Sequence, residues 1–201
     1  MTAYNINALL YAMVAVITFI YCAWPLIFGS KLHPGGPSFN DCHHFNEEQR
    51  KRLQQNYERI KGTLKFWKGK ATGYSRIHYY CVLFTIIASW AVPLISAIAP
   101  EIGQAKWLIL TISSHIALAL SLHRGLNVME NMQVFRHGES EFYDINRRLL
   151  DTPREFGNTP EEQLESYFKN VADLRRFVRR QETESAPVVD YKKELKTKLN
   201  H

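Results

Sequence analysis

Two uncharged apolar runs joined by a short polar elbow limit what this chain can become more than any other feature. The first run occupies residues 77–100 and the second 107–123, with Glu101-Ile102-Gly103-Gln104-Ala105-Lys106 between them. As an α-helix rising about 1.5 Å per residue, the 24-residue first run is long enough to cross a hydrocarbon core of about 30 Å. The 17-residue second run is near the lower limit, so its ends must snorkel or the bilayer must thin. In lipid every backbone polar group needs an internal partner, and a helix supplies one within its own segment. A six-residue elbow joins only antiparallel neighbours, so the pair reads as a transmembrane hairpin. A buried hairpin in a soluble all-α protein is the competing reading. It draws on the shortness of the second run and on a whole-chain mean hydropathy of only −0.25.

Charge gives the hairpin a side. The chain has 201 residues and a formal net charge of +6, a one-domain length with room for a tail. Residues 46–76 hold nine Lys or Arg against three Glu, while residues 124–201 hold fourteen of each sign. The whole excess therefore lies in the segment that abuts the first run. The positive-inside rule and anionic lipid explain such a placement better than nucleic acid does. Arg50, Lys51, Arg52, Lys61, Lys65, Lys68, Lys70 and Arg76 are the candidate membrane-surface cations. No nucleic-acid partner is expected.

A third apolar run opens the chain. No charge precedes Lys31, and residues 6–28 are uncharged and mostly apolar, with Tyr21 and Trp24 toward the end as interface anchors. Twenty-three residues exceed a signal-peptide core, and there is neither a basic start nor a small-x-small cleavage site, so a retained span is expected over 1–30. Pro34, Gly35, Gly36 and Pro37 mark residues 31–45 as a linker. Its His33, Asp41, Cys42, His43 and His44 carry metal-ligand atoms. Adjacent residues seldom all reach one ion, however, and no second ligand pair stands at helical spacing, so a solvated loop without metal is expected. The cysteines at 22, 42 and 81 form no CxxC pair and give no case for a disulfide framework.

Beyond the linker, a helix over 46–70 starts at Asn46-Glu47-Glu48 and carries Leu53, Tyr57, Ile60, Leu64 and Trp67 on one face, set to pack on the C-terminal helices. Gly69 and Gly73 are expected to break it before the first run of the hairpin. The third span is expected to continue from Arg124 into a helix over 124–150, with Leu122, Leu126 and Met129, then Phe142, Ile145 and Leu149, at three-four spacing and Gly138 weakening the middle. Residues 151–157 read as a loop. Thr159-Pro160-Glu161-Glu162 then forms a capping box, with Thr at the N-cap, Pro at the first helical position and Glu three residues on. It opens a helix over 160–184 whose apolar face holds Leu164, Tyr167, Phe168, Val171, Leu174 and Val178. Ser185, Ala186 and Pro187 end it, and a basic tail occupies 188–201.

A basic amphipathic helix entering a two-span hairpin, a charged helix leaving it, and a capped helix bearing Tyr167-Phe168-x-x-Val171-x-x-Leu174-x-x-Phe177-Val178 together resemble the SLATT superfamily of bacterial two-span membrane proteins. The likeness covers residues 46–187. The extra span at 6–28 and the His-rich linker depart from that plan. The resemblance implies an oligomeric effector of bacterial anti-phage immunity in the inner membrane. Such an effector permeabilises the bilayer when a partner encoded nearby makes or senses a nucleotide signal.

Catalytic signatures are absent: there is no GxSxG, P-loop, HExxH or GxGxxG. No enzyme activity and no cofactor are therefore expected. Chemistry in the spans resides in Thr85, Ser89, Ser96, Thr111 and His115, candidates to line an oligomeric pore with His115 as a pH-sensitive ring. Ser113, Ala117 and Ser121 form a small-residue ridge suited to helix packing. Against this, Ser and Thr can bond their own backbone and His115 a neighbouring helix. In that case the chain is a non-conducting scaffold or assembly subunit of a larger membrane complex. The expected fold is an all-α integral membrane protein: the hairpin, an extra N-terminal span and a cytoplasmic helical bundle, with the C-terminus cytoplasmic.

Overall fold

The computed structural model of the protein describes residues 3–29, 31–32, 39, 44–98 and 102–184. The basic tail, the stop at 185–187 and the linker residues His33, Asp41, Cys42 and His43 lie outside the described residues. Those described form five α-helices and one 3₁₀ turn, with no strand among them.

The longest helix, α2, runs Glu47–Ile98 over 52 residues without interruption, roughly 80 Å at about 1.5 Å per residue. A reciprocal cap starts it: Gln49 N–H donates to Asn46 Oδ1 at 2.8 Å and Asn46 N–H donates to Gln49 Oε1 at 3.0 Å. The expected break at Gly69 and Gly73 does not occur, so the basic helix and the first hairpin run are one element. Glycine in a helix interior costs about 1 kcal/mol relative to alanine. At Gly73 the missing side chain is what lets another helix in. A Cβ there would stand 2.5 Å from Leu26 Cγ and Cδ2, and 3.0 Å from the Leu26 backbone nitrogen.

That other helix is α1, Ala3–Phe28, with Pro25 accommodated near its end. It lies antiparallel to α2: Tyr11 meets Phe84 near one end and Leu26 meets Gly73 near the other. The third apolar helix, α3, spans Ile102–Gly125 and runs parallel to α1, since Tyr11 meets His115. All three are long and apolar enough to cross a membrane. Protein covers only a small minority of their apolar side chains, and Ile27, Trp90 and Ile98 are 76%, 72% and 77% exposed. Exposed apolar surface on that scale is compatible with a membrane protein.

The N-terminal half of α2 belongs to a second, charged bundle. Here α4 (Val128–Asp151) and α5 (Pro160–Glu184) pack against it, and the 3₁₀ turn Pro153–Phe156 packs on α4 and α5. The expected face of Leu53, Tyr57, Ile60, Leu64 and Trp67 is buried, as are Leu164, Tyr167, Val171, Leu174 and Val178 opposite. Gly138 does not weaken α4; a Cβ on it would stand 2.7 Å from Val178 Cγ2 and 3.2 Å from Trp67 Cε3, so it admits both neighbours. The capping box at α5 is present, with Glu162 N–H donating to Thr159 Oγ1 at 3.3 Å and Asn158 and Thr159 N–H donating to Glu162 Oε2.

Three further expectations fail for physical reasons. The third span does not continue into 124–150: Asn127, in the left-handed region at φ +44°, turns the chain between α3 and α4, a conformation Asn tolerates better than most residues. Because the turn resets the helical phase, Leu126 and Met129 are exposed and Val128 is buried instead. Residues 151–157 contain the 3₁₀ turn, which seats Phe156 in the core. The linker is not wholly solvated either. Phe39 and Phe45 are buried in the charged bundle, and His44 Nε2 lies 2.7 Å from Gln163 Oε1 on α5.

Three outcomes check this packing in thermal unfolding of the detergent-purified protein. Leu174→Ala, a truncation in the core, is expected to destabilise by about 2–5 kcal/mol, and Thr159→Ala by about 1 kcal/mol through the lost cap. Gly73→Ala is expected to destabilise by about 1–3 kcal/mol, because its methyl overpacks against Leu26. A stability gain at position 73, as helix propensity alone demands, would contradict the close α1–α2 approach.

Candidate functional site: the polar seam of the apolar bundle

Small residues set the spacing of the apolar helices. Ala8 and Ala15 on α1, Ala88 on α2, and Ala105 and Ala119 on α3 are buried where the helices meet, with the larger Ile112 midway between the last two. The sevenfold separations within α1 and α3 keep one face inward over two helical turns. Between these alanines, one level is filled by polar side chains, one from each helix.

His115 on α3 sits at the centre of that level. Its Nδ1 is 2.7 Å from the Tyr11 hydroxyl of α1, and its Nε2 is 2.8 Å from the Tyr80 hydroxyl of α2. Tyr80 Oη is also 3.0 Å from the Ala15 carbonyl, which can only accept. The single Tyr80 proton therefore goes to Ala15 O, since otherwise two acceptors would face each other at that distance. Nε2–H then donates to Tyr80 Oη, and Nδ1 accepts from the Tyr11 hydroxyl. One directional chain of three hydrogen bonds results, with a neutral imidazole of the Nε2–H tautomer. Phe84 closes the level, edge-on to His115 with centroids 5.0 Å apart. Beside it a cleft of about 140 Å³ between α1 and α3 is walled by Ala15, Val16, Phe19 and Leu118.

The other candidate residues of the spans are not drawn to this level. Thr85, Ser89, Ser96 and Thr111 donate to the carbonyls of Cys81, Thr85, Val92 and Trp107, each one turn back on its own helix. Ser121 likewise donates to Ala117 O. Ser113, Ala117 and Ser121 are exposed, so the packing inside the chain uses the alanine face of α3 and leaves this ridge outward. Nearer the charged bundle, His78 Nδ1 and His123 Nε2 stand 2.9 Å apart, joining α2 to α3.

The candidate cations divide into groups. Lys51, Arg52, Lys61 and Lys65 are exposed, while Arg50, Lys70 and Arg76 are half-buried. Arg52 lies over Phe168 at 5.9 Å, Lys70 over Phe66 at 5.3 Å and Arg76 over Tyr21 at 5.0 Å. Lys68 turns inward, 3.9 Å from the buried carboxylate of Glu139, which Arg136 also approaches at 3.4 Å. This buried ion cluster has no signature in the sequence beyond Glu139 falling beside Gly138 on the inward side of α4. Among the described residues no group of three or more His, Cys, Asp or Glu could hold a metal.

Sequence reasoning found His115 and missed both its partners. Tyr80 reads as an interface anchor, and Tyr11 carries no pattern of its own. The available signal was a mid-span hydroxyl on each of two helices able to meet an imidazole that must not be left unpaired. In the charged bundle the same rule governs Tyr167. Burial pushes its phenol far above the ordinary range, so it serves as a neutral donor to Asn146 Oδ1 at 2.7 Å.

The chain matches no protein family, and neither a curated protein nor a solved structure is similar to it. What the seam does follows from its chemistry. Both imidazole nitrogens are engaged, and the hydrogen bonds tie all three apolar helices together at one level. Tyr80→Phe leaves one imidazole nitrogen unpaired and is expected to lower the thermal stability of the purified protein by about 1–3 kcal/mol. Tyr11→Phe is expected to act similarly. ¹⁵N spectra of the imidazole report the Nε2–H tautomer if this proton arrangement holds; an Nδ1–H signal contradicts it.

Proposed function

We propose that this chain is a three-span protein of a bacterial inner membrane that acts as an oligomeric membrane effector. The elbow and N-terminus lie outside, and the charged bundle and C-terminus lie in the cytoplasm. The observation that carries this reading is α2 itself, one helix that is a wall of the cytoplasmic bundle at one end and of the membrane bundle at the other. A partner seated on the cytoplasmic helices thereby reaches the membrane helices through an unbroken rod. The positive excess of residues 46–76 supports the orientation. The outward ridge of Ser113, Ala117 and Ser121 supports assembly of several copies, since one chain of three spans encloses no pore. The SLATT resemblance supports permeabilisation as the output and a nucleotide-signal synthase or sensor as the partner, in anti-phage defence.

A second reading, a non-conducting scaffold subunit, is favoured by one observation. Thr85, Ser89, Ser96, Thr111 and His115 are all satisfied within one chain, so no polar stripe is left waiting for water. Dye-loaded vesicles carrying the reconstituted protein separate the two. Leakage that rises with assembly supports the effector; assembled protein in tight vesicles overturns it in favour of the scaffold. Orientation is checked by a cysteine at Gln104 in a chain free of other cysteines. It is expected to react with an impermeant maleimide in intact cells, and reaction only after lysis reverses the topology.

A further inference from the structure

Where α1 ends against the flank of α2, the surface forms an open pocket of about 260 Å³. Its walls are Phe28 from α1, Gly29 just after it, and Gly62, Lys65, Phe66 and Lys70 from α2. The four α2 residues are spaced by three, one and four, so they share one face of the helix. The floor is Gly62, where an added Cβ would meet no atom within 4 Å. The Lys65 side chain passes Gly29, its Cε 3.9 Å from where a Cβ would stand there. Lys70 reaches the pocket over Phe66. Among the described residues neither lysine has a carboxylate partner, and no acidic side chain lines the space.

The depth of the pocket matters as much as its charge. It sits at the last turn of an apolar helix, just past the stacked pair Trp24 and Phe28, whose rings are 4.0 Å apart. Below it Ile27 and Phe28 are largely exposed. Two cations therefore stand above bare apolar surface, at the level where the hydrocarbon of a bilayer gives way to phosphate. That combination matches a diacyl lipid with an anionic headgroup: phosphate on the lysines and one chain along the outer face of α1. The carbonyl end of α1 contributes about half a negative charge, which offsets part of Lys65 and leaves a net positive site.

We infer that the pocket between the C-terminal turn of α1 and the Gly62–Lys70 face of α2 binds one anionic phospholipid headgroup. The inference rests on the membrane placement given above. A bound lipid there touches both α1 and α2 outside the polar seam and fastens the first helix to the spine.

Native mass spectrometry of the full chain in detergent tests this. The probes are phosphatidylglycerol and phosphatidylcholine with identical acyl chains, and soluble glycerol phosphate. One phosphatidylglycerol per chain is expected to be retained in preference to phosphatidylcholine. Lys65→Gln and Lys70→Gln are each expected to reduce that preference about fivefold, as removing one cation near a headgroup does. Gly62→Leu, whose Cβ meets no atom within 4 Å, puts a side chain into the pocket and is expected to abolish the preference while the melting temperature holds or rises. Lys51→Gln with Arg52→Gln, on the far part of the charged bundle, is expected to change nothing. Equal retention of both lipids overturns the headgroup site while leaving the membrane placement intact. Retention of neither lipid overturns the membrane placement with it. Displacement by glycerol phosphate at matched concentration makes this a soluble-phosphate site, and preference that survives Gly62→Leu puts the lipid elsewhere.

Discussion

An unbroken ladder of backbone hydrogen bonds along α2 is the constraint on which everything else in this protein leans. Its first half presents Leu53, Ile60 and Leu64 to α4 and α5, and its second half presents Ile77, Tyr80 and Ala88 toward α1 and α3. Neither bundle closes without it. The composition changes completely between the two halves, from a solvated face dense in Lys and Arg to a face clothed in Ile, Leu and Trp. The geometry does not change at all, because a helix holds its own polar groups in water and in an apolar surrounding alike.

The polar seam depends on that regularity. Tyr80 and Ile77 are one turn apart on the inward face of α2, which fixes the height at which the Tyr80 hydroxyl meets α3. Alanines above and below allow the three helices to approach, and the His–Tyr–Tyr level then fixes which residues come opposite each other. Apolar contacts alone discriminate poorly between neighbouring registers. A half-buried imidazole with two partners discriminates better, because a shift of one turn breaks both of its hydrogen bonds.

Much of this was legible in the residues. The apolar lengths, the capped start of α5 and the inward stripes of α2 and α5 all follow from spacing, and the structure has them. What was not legible had a common cause: a local rule outvoted by a neighbour distant in sequence. Gly69 and Gly73 are weak helix formers in isolation, yet the helix runs through both, and at Gly73 the missing Cβ admits Leu26 of α1. Leu126 and Met129 continue a three-four pattern, but the left-handed Asn127 resets the phase. Phe39 and Phe45 lie in a segment whose prolines and glycines suggest solvent, and aromatic side chains are drawn into a core regardless of the backbone that carries them. At the seam, the imidazole was conspicuous, whereas its two tyrosines were distinguishable from interface residues only by which helix faced them.

The contact between His44 and Gln163 joins residues 119 apart in the chain, and this sets an order of events during synthesis. The first apolar helix emerges long before any of its support in the charged bundle. Its tether passes through Phe39, His44 and Phe45, whose packing sites are built with α4 and α5, and Gln163 is itself held by the Gly157 carbonyl at the entrance to α5. Until that last helix leaves the ribosome, the N-terminal helix is held only by its neighbours in the apolar layer. The first turn of α5 thus latches the segment that follows the first helix.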